Sequence, residues 1–192
     1  MNVKIFLRDL FEPVVDAWRV TFEGCSDVEI SCGDLFELKA DAIISPANSF
    51  GFMDGGIDLA YSKHFGWSLQ KKLQTIIRNN FFGELPVGNA VVIKTGDSNI
   101  KHLISAPTMR LPQDISKTEN AYLAFRAALI EIVKFNKGHN NKIKSVLCPG
   151  LGTSTGALPP MVCATQMRRA YDLISRESCY FPKSLSEAYT NI

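Results

Sequence analysis

Ala42-Ile43-Ile44-Ser45-Pro46-Ala47-Asn48-Ser49-Phe50-Gly51-Phe52-Met53-Asp54-Gly55-Gly56-Ile57-Asp58 is the stretch on which the fold turns. Its first four residues read as a buried strand, stopped by Pro46, which has no N–H to give to a ladder. A loop with three glycines follows, and Ile57 to His64 then has helical spacing. The same order recurs near the other end: an apolar strand Ile143 to Cys148, the loop Pro149-Gly150-Leu151-Gly152-Thr153-Ser154-Thr155-Gly156, and a helix from Met161 to Ser175. Glycine reaches positive φ and lets backbone N–H groups come close to a ligand, and the helix start beyond the loop adds its positive dipole end. One such loop is an ordinary tight turn. Two of them can close around one diphosphate, which points to a nucleotide-like anion.

Outward from these units the chain alternates in the same style. Val3 to Leu7 reads as a strand and Leu10 to Val20 as a helix that tolerates Pro13 in its first turn. Val28 to Ser31 is a further strand, followed by Gly33-Asp34-Leu35. Ser68 to Asn79 carries the apolar stripe Leu69, Leu73, Ile76 and Ile77, with Ser68 placed to cap it. Gly88 to Lys94 and Ile100 to Ala106 predict a hairpin across the turn Thr95 to Asn99. Ser116-Lys117-Thr118-Glu119 matches a capping box and opens a helix from Glu119 to Phe135, with Leu123, Ala127 and Ile130 as its core stripe. Helices interleaved with buried strands predict a three-layer α/β/α domain, a central mixed sheet covered on both faces, with ligands at the carboxyl ends of the strands. A single domain is expected over residues 1–177, with a polar tail at 178–192 whose Tyr180 and Phe181 could pack on the domain or on another protein.

The chain of 192 residues is 46% hydrophobic, enough for a core without staples. Its 21 basic and 19 acidic side chains are mixed along the sequence, so no basic block argues for nucleic acid or an anionic membrane. Cys25, Cys32, Cys148, Cys163 and Cys179 are odd in number and lack C-x-x-C spacing, which predicts reduced thiols in a cytoplasmic compartment and no zinc site. No run is long enough to span a membrane. His64, His102 and His139 are scattered, and none is expected to be a ligand. A Walker A loop needs a lysine after its last glycine, where this chain has Ala157. A dinucleotide fingerprint is also disfavoured. The Gly150-x-Gly152 loop follows the last strand, and the acidic residue about twenty positions on, Asp172, falls within a helix.

The ordered set Gly33-Asp34-Leu35, Pro46-Ala47-Asn48-Ser49, Gly55-Gly56-Ile57-Asp58, Pro86-Val87-Gly88-Asn89-Ala90 and Pro149-Gly150-Leu151-Gly152-Thr153 resembles the macrodomain family, whose members bind ADP-ribose. Met53 to Asp58, Ala106-Pro107-Thr108-Met109-Arg110 and Cys148 to Thr153 look like the branch called phage-tail-like. The resemblance implies a role for each motif. Asp34 would accept from the adenine amine and Leu35 would border the adenine, although from the residues alone Asp34 reads as the cap of a short turn. Asn48 would hold hydroxyls of the distal ribose. Gly55, Gly56 and Ile57 would contact one side of the diphosphate, and Gly152, Thr153, Ser154, Thr155 and Gly156 the other. Asp58 would help a water attack the anomeric carbon, or else serve only the helix N-terminus through its dipole; Asp54 could tune it or serve the turn. Arg110 could meet a phosphate or form an ion pair.

The second loop departs from the common hydrolase pattern, which has an aromatic where this chain has Ala157-Leu158; Phe50, Phe52 or Tyr61 could substitute. The expected ligand is ADP-ribose or a related NAD-derived nucleotide, free or on an ADP-ribosylated macromolecule, with no cofactor and no metal. Three functions fit: an ADP-ribosyl hydrolase or ADP-ribose-1″-phosphate phosphatase, a non-catalytic reader, and a structural phage-associated protein.

Overall fold

The computed structural model describes residues 2–175 and 181–190. Six strands form one sheet: β1 (Lys4–Asp9), β2 (Val28–Cys32), β3 (Ala40–Ser45), β4 (Val91–Lys94), β5 (Ile100–Ser105) and β6 (Ser145–Cys148). Their spatial order is β2-β1-β6-β3-β5-β4, all parallel except β4, which runs antiparallel to β5. The helices are α1 (Glu12–Thr21), α2 (Gly56–Phe65), α3 (Ser68–Phe81), α4 (Asn120–Gly138), α5 (Pro160–Ser175) and α6 (Leu185–Thr190). This is the expected mixed sheet flanked by helices. Cys179 and Tyr180 of the predicted tail lie outside the described residues.

Neighbouring residues of a strand point to opposite faces, and a parallel sheet covered on both sides therefore feeds two cores. Ala42, Ile44, Ile104 and Val146 pack with Trp18, Phe125 and Met167 on the side of α1, α4 and α5. Ile43, Leu103 and Leu147 pack with Tyr61, Leu69, Leu73 and Ile77 on the side of α2 and α3. Each such buried Val, Leu, Ile, Phe or Met side chain contributes about 1.5–3 kcal/mol.

Two local expectations fail and a third holds only in part. Ser68 does not cap α3; Trp67 occupies the N-cap position in helical conformation and no side chain caps it. The capping box at Ser116 to Glu119 does not form. The start of α4 is met locally by Thr118 Oγ1, which accepts from Asn120 N–H (3.3 Å), and from α5 by Gln166, which accepts from the Tyr122 N–H (3.2 Å) and donates to the Thr118 carbonyl (2.7 Å). The buried face of α4 is Ala121, Ala124, Phe125, Ala127, Ala128, Leu129 and Ile132; of the predicted stripe Ala127 is buried, Ile130 half-buried and Leu123 exposed. The predicted stripe thus runs along the margin of the buried face, whose centre, Phe125 and Leu129, is set by contact with α5 and the sheet. The predicted hairpin is present. Its turn is built by Asp97, whose Oδ1 accepts from Asn99 and Ile100.

The switch in strand order lies between β1 and β3, where β6 is inserted. Connections leave β1 toward one edge and β3 toward the other, so their loops part above β6 and open a crevice at the carboxyl ends.

Candidate active site

A cavity of about 870 Å³ occupies that crevice. It spans the carboxyl ends of β1 (Asp9, Leu10, Phe11), β6 (Pro149 to Gly156), β3 (Pro46 to Asn48) and the segment after β5 (Thr108, Met109, Pro112). At about 4.8 Å between strands, four strand ends make a trough about 14 Å across, suited to an elongated ligand.

The first glycine loop and α2 form one wall, including Gly55, Gly56, Ile57 and Asp58. Gly55 is the N-cap of α2 and Gly56 sits at φ +53°, so the chain enters the helix through a conformation that favours glycine. The second loop forms the facing wall with Gly152, Thr153, Ser154, Thr155 and Gly156. It is drawn tight by bonds from Ala157 N–H to the Ser154 carbonyl, from Leu158 to Gly152 and from Ile115 to Gly156. Gly152 has φ +75°, and a Cβ there would stand 2.5 Å from Ile115 Cδ1, so the sharp turn and the close packing both require glycine. Among the described residues the N–H groups of Gly55, Gly56 and Ile57 and those of Gly152 through Gly156 donate to no protein acceptor. The first set belongs to a helix start, which leaves such donors free by construction, and the second to a loop; both sets line one cavity.

Asp58 lies in the first turn of α2, lines the cavity and is 6% exposed. Ser45 at the end of β3 donates to its Oδ1 at 2.5 Å. Burial pushes its carboxyl up to about 7, and the Ser45 hydroxyl opposes that rise. Asp58 is thus poised to take or give a proton near neutral pH. The same burial pushes the neighbouring Tyr61 phenol well above its ordinary range, and its O–H donates to the Ile44 carbonyl at 3.0 Å.

Asn48 lines the cavity, but its amide is largely engaged in shaping the loop. Oδ1 accepts from the Phe50 and Phe52 N–H groups (3.1 and 3.2 Å), and Nδ2 donates to the Phe52 carbonyl (2.8 Å). One N–H of that amide is left for a ligand. Asp34 and Leu35 are not among the cavity residues. Asp34 caps the short turn Leu35–Glu37 by accepting from Phe36 N–H at 3.0 Å, and Leu35 is buried in the core beneath it. Arg8 locks this turn, donating to the Asp34 carbonyl at 2.7 Å and to Ser31 and Glu37. Of the three aromatics offered for the second loop's missing ring, Phe52 lines the cavity. Phe50 lies beneath the Arg110 guanidinium and Tyr61 is wholly buried. Arg110 forms a two-pronged ion pair with Glu84 (2.8 and 3.0 Å). His64 stacks on Phe36 and His139 on Phe135, and His102 Nδ1 meets the Asp41 carbonyl; none of them lines the cavity.

Sequence reasoning missed two residues that organise the site. Asp9, at the end of β1, accepts from Phe11 N–H through Oδ1 and from Gly150 N–H through Oδ2, both at 2.9 Å, and so ties the first β-α connection to the second glycine loop. Its place at the carboxyl end of a parallel strand was the signal available. Ser45 carried no signal, because its bond to Asp58 spans two elements.

A family model, "Macro domain", matches residues 44–167. An uncharacterized protein of Aquifex aeolicus is 33% identical over 141 residues, covering 73% of this chain and 78% of that one. A macro domain-containing protein of Listeria monocytogenes is 35% identical over 80 residues, 42% of this chain and 44% of its own. Among solved structures, the macrodomain of Mycobacterium tuberculosis DarG has a TM-score of 0.62 at 24% identity, covering 80% of this chain and 96% of its own. Thermosipho africanus DarTG in complex with ADP-ribose has a TM-score of 0.60 at 20% identity, covering 77% of this chain and 38% of its own.

Proposed function

The chain belongs to the Macro domain family, and on that footing we propose that it binds ADP-ribose and hydrolyses a derivative of it at the distal ribose. The observation that carries the binding is the two facing sets of unpaired N–H groups, from Gly55 to Ile57 and from Gly152 to Gly156, which suit a diphosphate without any cationic side chain. The ADP-ribose bound to Thermosipho africanus DarTG, a structural relative, supports the same ligand. The base would lie toward Leu10 and Phe11 after β1, and the distal ribose toward Asn48 and Asp58. Residues Met53 to Asp58 and Cys148 to Thr153 further suggest the phage-tail-like branch, and the free thiols of Cys25, Cys32, Cys148 and Cys163 suit a cytoplasmic setting.

In the hydrolytic step a water attacks the anomeric carbon and the Asp58 carboxylate takes its proton. The bond from that carbon to the attached group breaks, its electron pair leaves with the group, and solvent supplies the group's proton. Asp58→Asn is expected to lower kcat by at least about 100-fold while ADP-ribose affinity stays within about threefold. Calorimetric titration with ADP-ribose beside AMP and NAD tests the binding, and turnover of ADP-ribosylated peptides tests the chemistry. Absent ADP-ribose binding sinks the ligand assignment, and unchanged kcat in the variant removes Asp58 from the mechanism.

A second reading, a reader that binds without chemistry, is favoured by the Asn48 amide being bound to its own loop and by Ala157-Leu158 standing where an aromatic is usual. Tight binding with no product from any ADP-ribosylated substrate would establish it.

A further inference from the structure

The residues lining the cavity include three aspartates, Asp9, Asp54 and Asp58, and no lysine, arginine or histidine. Resting on the ADP-ribose reading above, we propose that the cavity selects derivatives whose group beyond the distal ribose is uncharged or cationic, and excludes those carrying a phosphate there.

The three carboxylates are not equivalent. Asp9 stands at the β1 end, with its two oxygens given to Phe11 and Gly150 N–H groups, so its charge is already met by donors. Asp54 and Asp58 stand at the other end. Asp58 is buried in the first turn of α2 and has one bond from Ser45. Asp54 is exposed on the loop just before the Gly55 cap and has no hydrogen-bond or ion-pair partner among the described residues. Arg110, which the sequence offered for a phosphate, is committed to both oxygens of Glu84 and lines no part of the cavity.

The backbone donors answer the two phosphates that lie between the loops, and no cationic side chain of the cavity is left to neutralise a third. A phosphate on the anomeric carbon would enter the space walled by Asp58 and approached by Asp54, where the buried Asp58 carboxylate repels it and the exposed, water-screened Asp54 adds a weaker repulsion. An amide, a hydroxyl ester or a guanidinium brings no such charge, and a donor-rich nitrogen group would meet Asp54 favourably.

The test is calorimetric titration of the full chain at about pH 8 with ADP-ribose and with ADP-ribose-1″-phosphate, while released inorganic phosphate is assayed. The phosphate derivative is expected to bind at least about tenfold more weakly, the factor that about 1.4 kcal/mol of repulsion produces. Asp54→Asn, at an exposed position, is expected to narrow that gap by about threefold or more. Equal affinities in the wild type, or release of phosphate from the derivative, overturns the proposal and leaves ADP-ribose binding intact. An unchanged gap in Asp54→Asn also overturns it. Absence of binding by both ligands overturns the ADP-ribose reading, and this proposal with it.

Discussion

Asp58 joins two properties that pull in opposite directions: it faces a ligand cavity, and it is almost wholly buried. Its carboxyl titrates at about 7 in the folded chain against 3.8 for an unburied aspartate, because burial penalises the charged form. The sign of the consequence follows from linkage. Below about pH 4 both states hold the proton and the stabilisation is fully present. As pH rises toward 7 the unfolded chain sheds the proton while the folded chain keeps it, and stability falls by about 1.4 kcal/mol per unit. Asp58→Asn removes this slope, so the variant should gain on the wild type between about pH 4 and 7 and keep its lead above. Urea denaturation across that range measures it, and a constant difference between the two proteins would mean that Asp58 ionises like an exposed aspartate. Asp58 was legible as a candidate because strand, glycine loop and helix follow one another in the chain. Ser45, thirteen residues earlier, was not, because only the packing of α2 on β3 brings the hydroxyl to the carboxylate.

At the scale of elements, the strands and most helices could be read because buried parallel strands are runs of β-branched and small residues bounded by proline and glycine. What could not be read was which partner each helix end would choose. Ser116 to Glu119 reads as a capping box, yet Asn120 N–H goes to Thr118 Oγ1 and Tyr122 N–H to Gln166, forty-four residues beyond it on α5. Gln166 is itself buried and has both amide atoms bonded to the start of α4. Gln166→Ala would leave the Tyr122 N–H and the Thr118 carbonyl without this partner, and should cost about 1–3 kcal/mol. Chemical denaturation gives the value; a loss below about 0.5 kcal/mol would show that water replaces the amide readily. The same logic explains why the stripe read on α4 holds only at Ala127. Its sequence offers apolar residues on two sides, and the choice of Phe125 and Leu129 over Leu123 belongs to α5 and the sheet.

For the whole molecule, the cavity touches loops from β1, β3, β5 and β6, so a ligand there ties together four strands whose order in the sheet differs from their order in the chain. ADP-ribose at about 100 times its Kd should therefore stabilise the fold by about 2.7 kcal/mol, a rise in Tm of about 5–10 °C for a domain of this size. Differential scanning fluorimetry reads that shift, and AMP at equal concentration should give a smaller one. No shift with ADP-ribose would contradict binding to the folded chain.

The placement of β6 has a consequence in time. It is the last strand in the chain and yet lies between β1 and β3. As the polypeptide leaves the ribosome at about 5–20 residues per second, β5 is complete several seconds before the second glycine loop emerges. Throughout that interval β1 and β3 have a missing neighbour, and the nascent chain owns only one of the two jaws. On the proposed function, occupancy by nucleotide then marks finished assembly, since both jaws exist only once the middle strand has slotted between β1 and β3.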